Sequence, residues 1–157
     1  MPLDHEWIER HIPHAGRMCL LDAVIDWDAS QIRCRASSHR AADNPLRAHG
    51  RLGAACGVEY AAQSMAIHGA LVAEAPRGAE SVDGPRPGYL ASVRGVSLFV
   101  ERLDDVQSDL IATASRVTSD STTVLYEFSV ASAERILLSG RATIIFDLGN
   151  ATRTRNP

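Results

Sequence analysis

The sequence predicts an α+β domain in which a curved antiparallel sheet wraps one long central helix. The first observation is residues 52–73, where Glu59 is the only charged side chain. A helix that is apolar on almost every side is buried on several sides. The second observation is a series of strand-like segments after residue 88, joined by connections short enough for antiparallel neighbours.

The N-terminal part predicts one helix and two strands. Residues 3–11 carry apolar side chains at helical spacing, with Asp4 as N-cap and Pro13 as the end signal. Residues 18–27 form an apolar run of strand length, and residues 31–37 alternate as a second strand. These elements precede the central helix in the chain.

The C-terminal part predicts a loop followed by strands only. Residues 74–88 are rich in Pro and Gly, which marks a loop. Strands are predicted over residues 89–102, 106–118, 122–131 and 136–148. We expect one domain over residues 1–148 and a flexible tail over residues 149–157. A sheet curled around one helix is the hotdog arrangement, and its uncovered surfaces predict a dimer.

Composition excludes several classes of function. The chain has 157 residues, which suits one domain, and its hydrophobic fraction of 45% is that of a soluble globular protein. A net charge of −3 argues against a general nucleic-acid-binding surface. All 16 basic residues are Arg, so lysine Schiff-base chemistry and a P-loop lysine are excluded.

Cysteine usage and hydropathy predict a cytoplasmic protein. Cys19, Cys34 and Cys56 form no C-x-x-C pair, and an odd number of cysteines is typical of a reducing compartment. The N-terminus is charged rather than signal-like, and no apolar run is long enough for a transmembrane helix. Cys56 is more typical of a small core residue than of a nucleophile.

Glu59 is the first candidate for chemistry. A carboxylate on an apolar helix is costly to bury in its ionised form, so it needs a proton or a partner. Such residues are enriched at catalytic sites. Gln63 lies one turn further on and points the same way. The residues alone leave a catalytic and a structural role for Glu59 open.

The loop before the central helix is the second candidate. The first amides of a helix are unpaired and carry partial positive charge, so they can bind a carbonyl or an oxyanion. Gly50 and Gly53 permit a tight approach to that helix start, and His49 could face the same spot. A His and a Glu that converge on a polarised carbonyl make an acid/base pair, although a single loop His is more often simply solvated.

The other histidines favour structural roles. For His14 we expect a cap or core role, and for His68 a buried position on the central helix. We expect His5, His11 and His39 at the surface. No histidine pair has zinc-site spacing, and neither a nucleophile elbow nor a dinucleotide fingerprint occurs, so neither a metal nor a cofactor is predicted.

Five arginines lie between residues 33 and 51, with Asp43 as the only acid among them. The ordinary interpretation of such a cluster is a solvated face. The alternative is a docking site for an acidic partner or a phosphate.

Three segments resemble one enzyme family. Residues 13–22 (PHAGRMCLLD), 57–63 (GVEYAAQ) and 89–96 (YLASVRGV) resemble segments of the β-hydroxyacyl-carrier-protein dehydratases of the hotdog superfamily, in the family's order. Together with NPLR at residues 44–47 and HGAL at residues 68–71, they are most similar to the dehydratases encoded in aryl-polyene pigment clusters.

The resemblance implies a substrate and a set of site residues. The substrate would be a 3-hydroxyacyl thioester on the phosphopantetheine arm of acyl carrier protein, which loses water to give the trans-2-enoyl thioester. Glu59 matches the family's catalytic carboxylate. The family's catalytic His lies in an H-F-P-G loop that is absent here, and His49 is the nearest His. We therefore predict His49 and Glu59 as catalytic. The predicted substrate-binding residues are Asn44, Gly50, Arg51 and Gln63.

Alternatives remain open at this point. His49 takes the role of the missing His, or the chain is a degenerate subunit whose hotdog partner supplies the base, in a homodimer or a heterodimer. Hotdog thioesterases also place Asn, His-Gly and a helix carboxylate in this order, and Asn44, His49, Gly50 and Glu59 resemble that set. A third interpretation is a non-catalytic partner of another hotdog subunit.

Overall fold

The fold is described by a computed structural model, which covers residues 2–74 and 88–146. Six strands form one antiparallel sheet in the order β1-β2-β4-β5-β6-β3. The helices are α1 (His5–His11) and α2 (Gly57–Glu74). The strands are β1 (Ala23–Trp27), β2 (Gln31–Ala36), β3 (Gly88–Leu98), β4 (Leu110–Ser119), β5 (Thr123–Ser132) and β6 (Arg135–Phe146). Neither of these two helices combines the length and the apolar character needed to cross a membrane.

The inward face of the sheet follows the sequence alternation. On β5, Val124, Tyr126, Phe128 and Val130 are buried, whereas Glu127 between them is exposed. The same alternation on β2 and β4 is confirmed, because their predicted inward residues are buried too. A period of two therefore places one continuous apolar face of the sheet against α2.

The central helix is enclosed as predicted, which confirms the hotdog fold. Tyr60, Met65, Ile67 and Leu71 of α2 are all within the core. At its first residue, a Cβ on Gly57 would lie 2.5 Å from Cδ2 of Leu138 on β6. Only a residue without a side chain permits this approach of helix to sheet.

The start of β1 differs from the sequence prediction. A strand was expected from residue 18, but the chain forms a 3-10 turn at Gly16–Met18 and β1 begins at Ala23. The amide of Gln63 explains the difference, since its Nε2 donates to the Met18 carbonyl at 2.8 Å and its Oε1 accepts from the Leu20 amide at 2.9 Å. These main-chain groups are therefore bonded to a helix side chain instead of a neighbouring strand.

The N-terminal segment covers α2 and part of one sheet edge. The predicted cap is confirmed, because Asp4 Oδ1 accepts from the Trp7 amide at 3.0 Å. The His11 ring stacks on Trp7 with centroids 3.8 Å apart. The Val24 amide of β1 donates to the Leu3 carbonyl at 2.9 Å, so residues before α1 partly cover the outer edge of β1.

The opposite edge of the sheet is β3, and among the strands that the structure describes it pairs with β6 alone. We call the unpaired side of β3 the free edge. Arg94 is its only charged residue, and its exposed large apolar side chains are Tyr89, Leu90, Val96 and Leu98. An apolar edge of this length is a template for strand pairing. Most of the loop predicted over residues 74–88, and all of the tail predicted over residues 149–157, lie outside the described residues.

Candidate active site

Glu59 lies in the first turn of α2 and is held at one carboxylate oxygen. Its Oε1 lies 3.0 Å from Nε2 of His14 and accepts from Nε2 of Gln63 at 3.2 Å. The side chains of Glu59 and His14 are 32% and 27% exposed, so both reach solvent. The partner that a carboxylate on an apolar helix requires is therefore present, and the pair stays accessible to a ligand.

Gln63 is the buried residue that supports the carboxyl group of Glu59. It is fully buried, and besides Glu59 it bonds the main chain of Met18 and Leu20. Each end of its amide group is thus committed to the fold, so it orients the carboxyl group of Glu59 from below. Its predicted role as a substrate-binding residue is not tested by these contacts.

The loop that carries His14 is built by its neighbours in the sequence. Pro13 follows the C-cap of α1, and Gly16 adopts φ +59°, which a glycine tolerates without strain. The Gly16 amide donates to Glu9 Oε2 at 2.7 Å. Nδ1 of His14 is buried and has no hydrogen-bond partner in the described part of the chain. Sequence reasoning favoured a structural role for His14, although the PHAG motif marked this loop.

His49 lies in an exposed tight turn. The Ala48 amide donates to the Arg51 carbonyl at 2.9 Å and the Arg51 amide returns a bond of 3.1 Å. The two central residues, His49 and Gly50, have φ values of 53° and 77°. Within residues 2–74 and 88–146, the bonded partners of Glu59 are His14 and Gln63, and His49 has none. A catalytic role for His49 therefore stays a prediction, as does substrate binding by Gly50 and Arg51.

Asn44 is buried, and the fold uses its polar atoms. Nδ2 donates to the Ser38 carbonyl at 2.8 Å and to the Tyr60 hydroxyl at 3.1 Å, while Oδ1 accepts from the Leu46 amide at 2.8 Å. The Ser38 and Tyr60 hydroxyls are 2.7 Å apart. Burial raises the pKa of Tyr60, so the phenol stays neutral. Asn44 therefore acts as a brace for the loop before α2.

The amides at the start of α2 are largely bonded within the chain. The Ala54 amide donates to the Glu101 carbonyl at 3.0 Å, and the Cys56 amide donates to the Gly53 carbonyl at 3.0 Å. The Gly57 amide bonds the preceding 3-10 turn. The oxyanion site expected at this helix start is therefore left with fewer donors than the sequence suggested.

The cysteines are protonated structural residues. Burial raises the pKa of Cys34 to about 12, and it also raises the pKa of Cys56. Reactive cysteines require the opposite shift, because the thiolate is the nucleophile. The prediction that Cys56 is a packing residue agrees with its contact, since its Sγ lies 3.8 Å from the Leu46 carbonyl oxygen.

The surface assignment for His39 is wrong. This ring is fully buried, and its Nε2 lies 3.1 Å from the Val106 carbonyl. Burial lowers the pKa of His39, which favours the neutral ring. The neighbouring Arg40 pairs with Asp109 at 2.7 Å, and this pair holds the 3-10 turn that carries His39 against the segment before β4.

The arginine cluster is mostly neutralised by acids that lie elsewhere in the sequence. Besides the Arg40 pair, Arg33 lies 2.9 Å from Asp26 and Arg35 lies 3.3 Å from Asp22. Arg51 is exposed and has no ionic partner among the residues described. Three of the five arginines thus form surface ion pairs, whereas Arg47 and Arg51 have no ionic partner in the described part of the chain, and Arg47 bonds the carbonyls of Gly50 and His39 instead.

A cleft of about 340 Å³ lies beside the loop of His14. Gly16 and Arg17, which follow His14 in the chain, form one side, and Asn44 and Pro45 form another. Its volume falls in the range of small-molecule sites. The pair of His14 and Glu59 does not line this cleft itself.

Comparisons with known proteins agree with the geometry. A sequence profile of the ApeP-like family, described as ApeP dehydratase, matches residues 6–151. Among solved structures, the dehydratase heterocomplex ApeI:P from Xenorhabdus doucetiae is similar with a TM-score of 0.77 and 20% identity, covering 96% of this chain and 93% of that chain. No curated protein sequence matches this chain.

Other solved structures share the fold at lower similarity. S. sahachiroi AziG has a TM-score of 0.53 and 17% identity, with 82% of this chain and 91% of that chain covered. A hypothetical thioesterase from Streptococcus pneumoniae TIGR4, solved with coenzyme A, has a TM-score of 0.56 and 10% identity, with 79% and 84% covered. At these identities the likeness shows the hotdog fold alone.

Proposed function

The chain belongs to the ApeP-like dehydratase family, and on that premise we propose that it removes water from a 3-hydroxyacyl thioester to give the trans-2-enoyl thioester. The observation that carries this proposal is the carboxyl group of Glu59. It is partly exposed, stands at the start of the central helix, and is held at Oε1 by His14 and Gln63. In the described part of the chain, no hydrogen bond or ion pair occupies its Oε2.

The reaction needs one proton removed and one proton delivered. In the proposed step, His49 or a base supplied by a second hotdog subunit takes a proton from C2, the C2–H electrons form the C2=C3 bond, and the C3–O bond breaks. Glu59 protonates the departing hydroxyl group at Oε2, so that water leaves. Because the thioester carbonyl stabilises the developing negative charge on C2, the proton on C2 is the acidic one.

We extend the proposal to the carrier of the substrate. A thioester on the phosphopantetheine arm of acyl carrier protein suits a partly exposed carboxyl group, because a narrow arm reaches it without domain closure. Acyl carrier proteins are acidic, and Arg51 is an exposed arginine of the cluster that has no ionic partner among the described residues. A higher kcat/KM with acyl carrier protein than with the pantetheine thioester alone, reduced by Arg51→Ala, supports this carrier. Equal values for the two substrates contradict it.

The proposed partner is a second hotdog subunit at the free edge of β3. The similar ApeI:P structure is that of a dehydratase heterocomplex. In this chain, Tyr89, Leu90, Val96 and Leu98 are exposed on a strand with one unpaired side. Antiparallel pairing with a matching edge would bury these side chains and satisfy the free backbone groups. Both a second copy of this chain and a different hotdog subunit fit this surface.

One assay tests the dehydratase proposal. The full chain, together with any hotdog subunit that co-purifies with it, is incubated with 3-hydroxyoctanoyl pantetheine thioester. The expected product is the enoyl thioester, detected by its ultraviolet absorbance and by mass. Glu59→Gln keeps the shape of the side chain but removes its exchangeable proton, so it should abolish the product. A fully active Glu59→Gln variant would overturn the role of Glu59.

The same assay separates the alternatives. Release of free thiol without enoyl product indicates the thioesterase reaction, in which Glu59 activates water or attacks the thioester. A non-catalytic partner is indicated when the chain alone gives neither product and a second hotdog subunit restores dehydration. In that case Glu59→Gln should leave the restored activity unchanged.

A further inference from the structure

The contact between His14 and Glu59 carries an inference that rests on the proposed function and goes beyond it. Nε2 of His14 and Nε2 of Gln63 both lie within hydrogen-bond distance of the same oxygen, Oε1 of Glu59. The two partners come from different elements, one from the loop after α1 and one from the next turn of α2. Together they fix the rotation of the carboxyl group.

The tautomer of the His14 imidazole follows from the surroundings of its buried nitrogen, Nδ1. Nδ1 of His14 is buried and has no partner in the described part of the chain. A proton on Nδ1 would leave a buried N–H without an acceptor, which is the costly arrangement. The neutral ring with its proton on Nε2 avoids that cost. In this tautomer His14 donates to Oε1 and has no proton acceptor directed at a substrate.

We propose that His14 is a positioning residue for Glu59: with Gln63 it holds Oε1, so that Oε2 is the oxygen that exchanges a proton with the substrate. The position of the hydroxyl group to be protonated is then set by two fixed hydrogen bonds. When Glu59 gives up its proton, the same two donors stabilise the carboxylate that forms. His14 thus acts through Glu59 without contacting the reacting atoms.

The surroundings of His14 contain few other charges. On its own loop, Glu9 accepts from the Gly16 amide, and Arg17 lies 3.5 Å from Asp43. On α2, Glu59 is the one charged side chain in contact with it. The contact with Glu59 is therefore the one ionic contact of His14 in the described part of the chain.

The test compares variants of the full chain, with any hotdog subunit that co-purifies, in the dehydration assay with 3-hydroxyoctanoyl pantetheine thioester. His14→Ala should lower kcat by about 10- to 100-fold through loss of orientation, with KM little changed. His14→Gln, which keeps an N–H donor of similar reach, should recover most of kcat. His11→Ala is the matched control, because it removes another His–Glu pair outside the site, in which Nε2 of His11 lies 3.3 Å from Oε1 of Glu74. It should keep the kcat of the wild type.

The outcomes are distinguishable from failure of the proposed function. A fully active Glu59→Gln variant defeats the function and this inference together. An inactive Glu59→Gln variant with a His14→Ala variant within twofold of the wild type defeats only this inference. Thermal unfolding verifies that each variant is folded. If His14→Ala does not fold, the folded His14→Gln and His14→Asn variants are compared instead. Equal activity of the longer Gln side chain and the shorter Asn side chain contradicts the positioning of Oε1 by residue 14.

Discussion

The hydroxyl group of Tyr126 donates a hydrogen bond of 2.8 Å to Nδ1 of His68 inside the core. The direction is set on the other side of the ring, where Nε2 donates to the Asp28 carbonyl at 2.8 Å. The two rings meet edge to face with centroids 5.7 Å apart. A buried histidine thus joins the middle of α2 to β5 and to the turn after β1, and its neutral form is the one that fits.

Mild acid should destabilise the fold through His68 and His39. Burial lowers the pKa of both rings below the ordinary value of 6.5. Since the unfolded chain takes up these protons first, stability is complete above that value and falls as the pH drops below it. The slope is up to about 1.4 kcal/mol per pH unit for each ring. Urea unfolding at a series of pH values, from about 7.5 down to about 5, measures the free energy of unfolding at each pH.

The control for this prediction is His68→Gln. An amide retains one donor and one acceptor but cannot titrate, so this variant should unfold more readily at neutral pH and show a shallower pH dependence. Asp28 and Arg116 are the charged neighbours of His68, with opposite effects on its pKa. A slope unchanged by His68→Gln would contradict the assignment.

Asn44→Ala should act on stability rather than on substrate affinity. The substitution removes bonds to Ser38, Tyr60 and Leu46 in a buried setting, which costs about 2–3 kcal/mol. KM should stay near the wild-type value in the folded protein. Thermal unfolding and steady-state kinetics on the same sample measure the two effects. Tyr60→Phe removes only the hydroxyl group that Asn44 contacts, so it should destabilise the protein less than Asn44→Ala. A large rise in KM with unchanged unfolding would instead support the predicted substrate-binding role.

Gly57→Ala should destabilise the protein although alanine favours helices. The added methyl group would lie 2.5 Å from Cδ2 of Leu138, a fully buried side chain, so the core must shift at a cost of about 1–3 kcal/mol. Gly53→Ala is the matched control, because nothing lies within 4 Å of its added Cβ. In a double-mutant cycle, Leu138→Ala should relieve part of the penalty of Gly57→Ala. Additive effects in that cycle would contradict the clash.

Glu134→Gly should stabilise the turn between β5 and β6. Ala133 and Glu134 connect the paired residues Ser132 and Arg135, and their φ values are 49° and 69°. A turn with two positive φ values strains side chains with a Cβ, and glycine relieves about 0.5–1 kcal/mol at Glu134. Chemical denaturation measures the gain. A glycine at Ser121, in the turn before β5, serves as control and should give no gain.

Leu90→Lys and Val96→Lys should break the proposed assembly while the subunit stays folded. Both side chains are exposed on the free edge of β3, at 41% and 39%, so a charge there costs the isolated fold little. Analytical ultracentrifugation should show loss of the dimer or heterodimer. Ile25→Lys on β1, at 43% exposure, is the matched control and should leave the assembly intact. Dissociation by Ile25→Lys alone would place the interface at the other edge.

Much of the fold was predictable because it depends on local periodicity. The alternation on β5 and the apolar run of α2 are read directly from neighbouring residues. The segment 18–22 was mistaken for a strand because its fate depends on Gln63, a contact across 43 to 45 residues of sequence. His39 was placed at the surface because its partner Val106 lies 67 residues away. Long-range polar contacts of this kind leave no periodic signal.

The site was predictable in part for the same reason. Glu59 stood out because it is one charge on an apolar helix, and Gln63 because it lies one turn further on. The contact of His14 with Glu59 depends on how the loop after α1 folds back onto α2, and no spacing rule encodes it. The catalytic role of His49 stays a prediction, and in the described residues the bridge between Ala48 and Arg51 places it in a tight turn.

The two borders of the sheet are unequal, and this has a consequence for growth. Leu3 and Asp4 occupy part of the border along β1, whereas no residue within 2–74 or 88–146 pairs with the outer border of β3. In the described part of the protomer, β3 is therefore the edge that is more available for strand pairing. Under the proposed pairing through β3, the two outer edges of the pair would be the partly covered β1 edges, which disfavours the addition of further strands into a fibre.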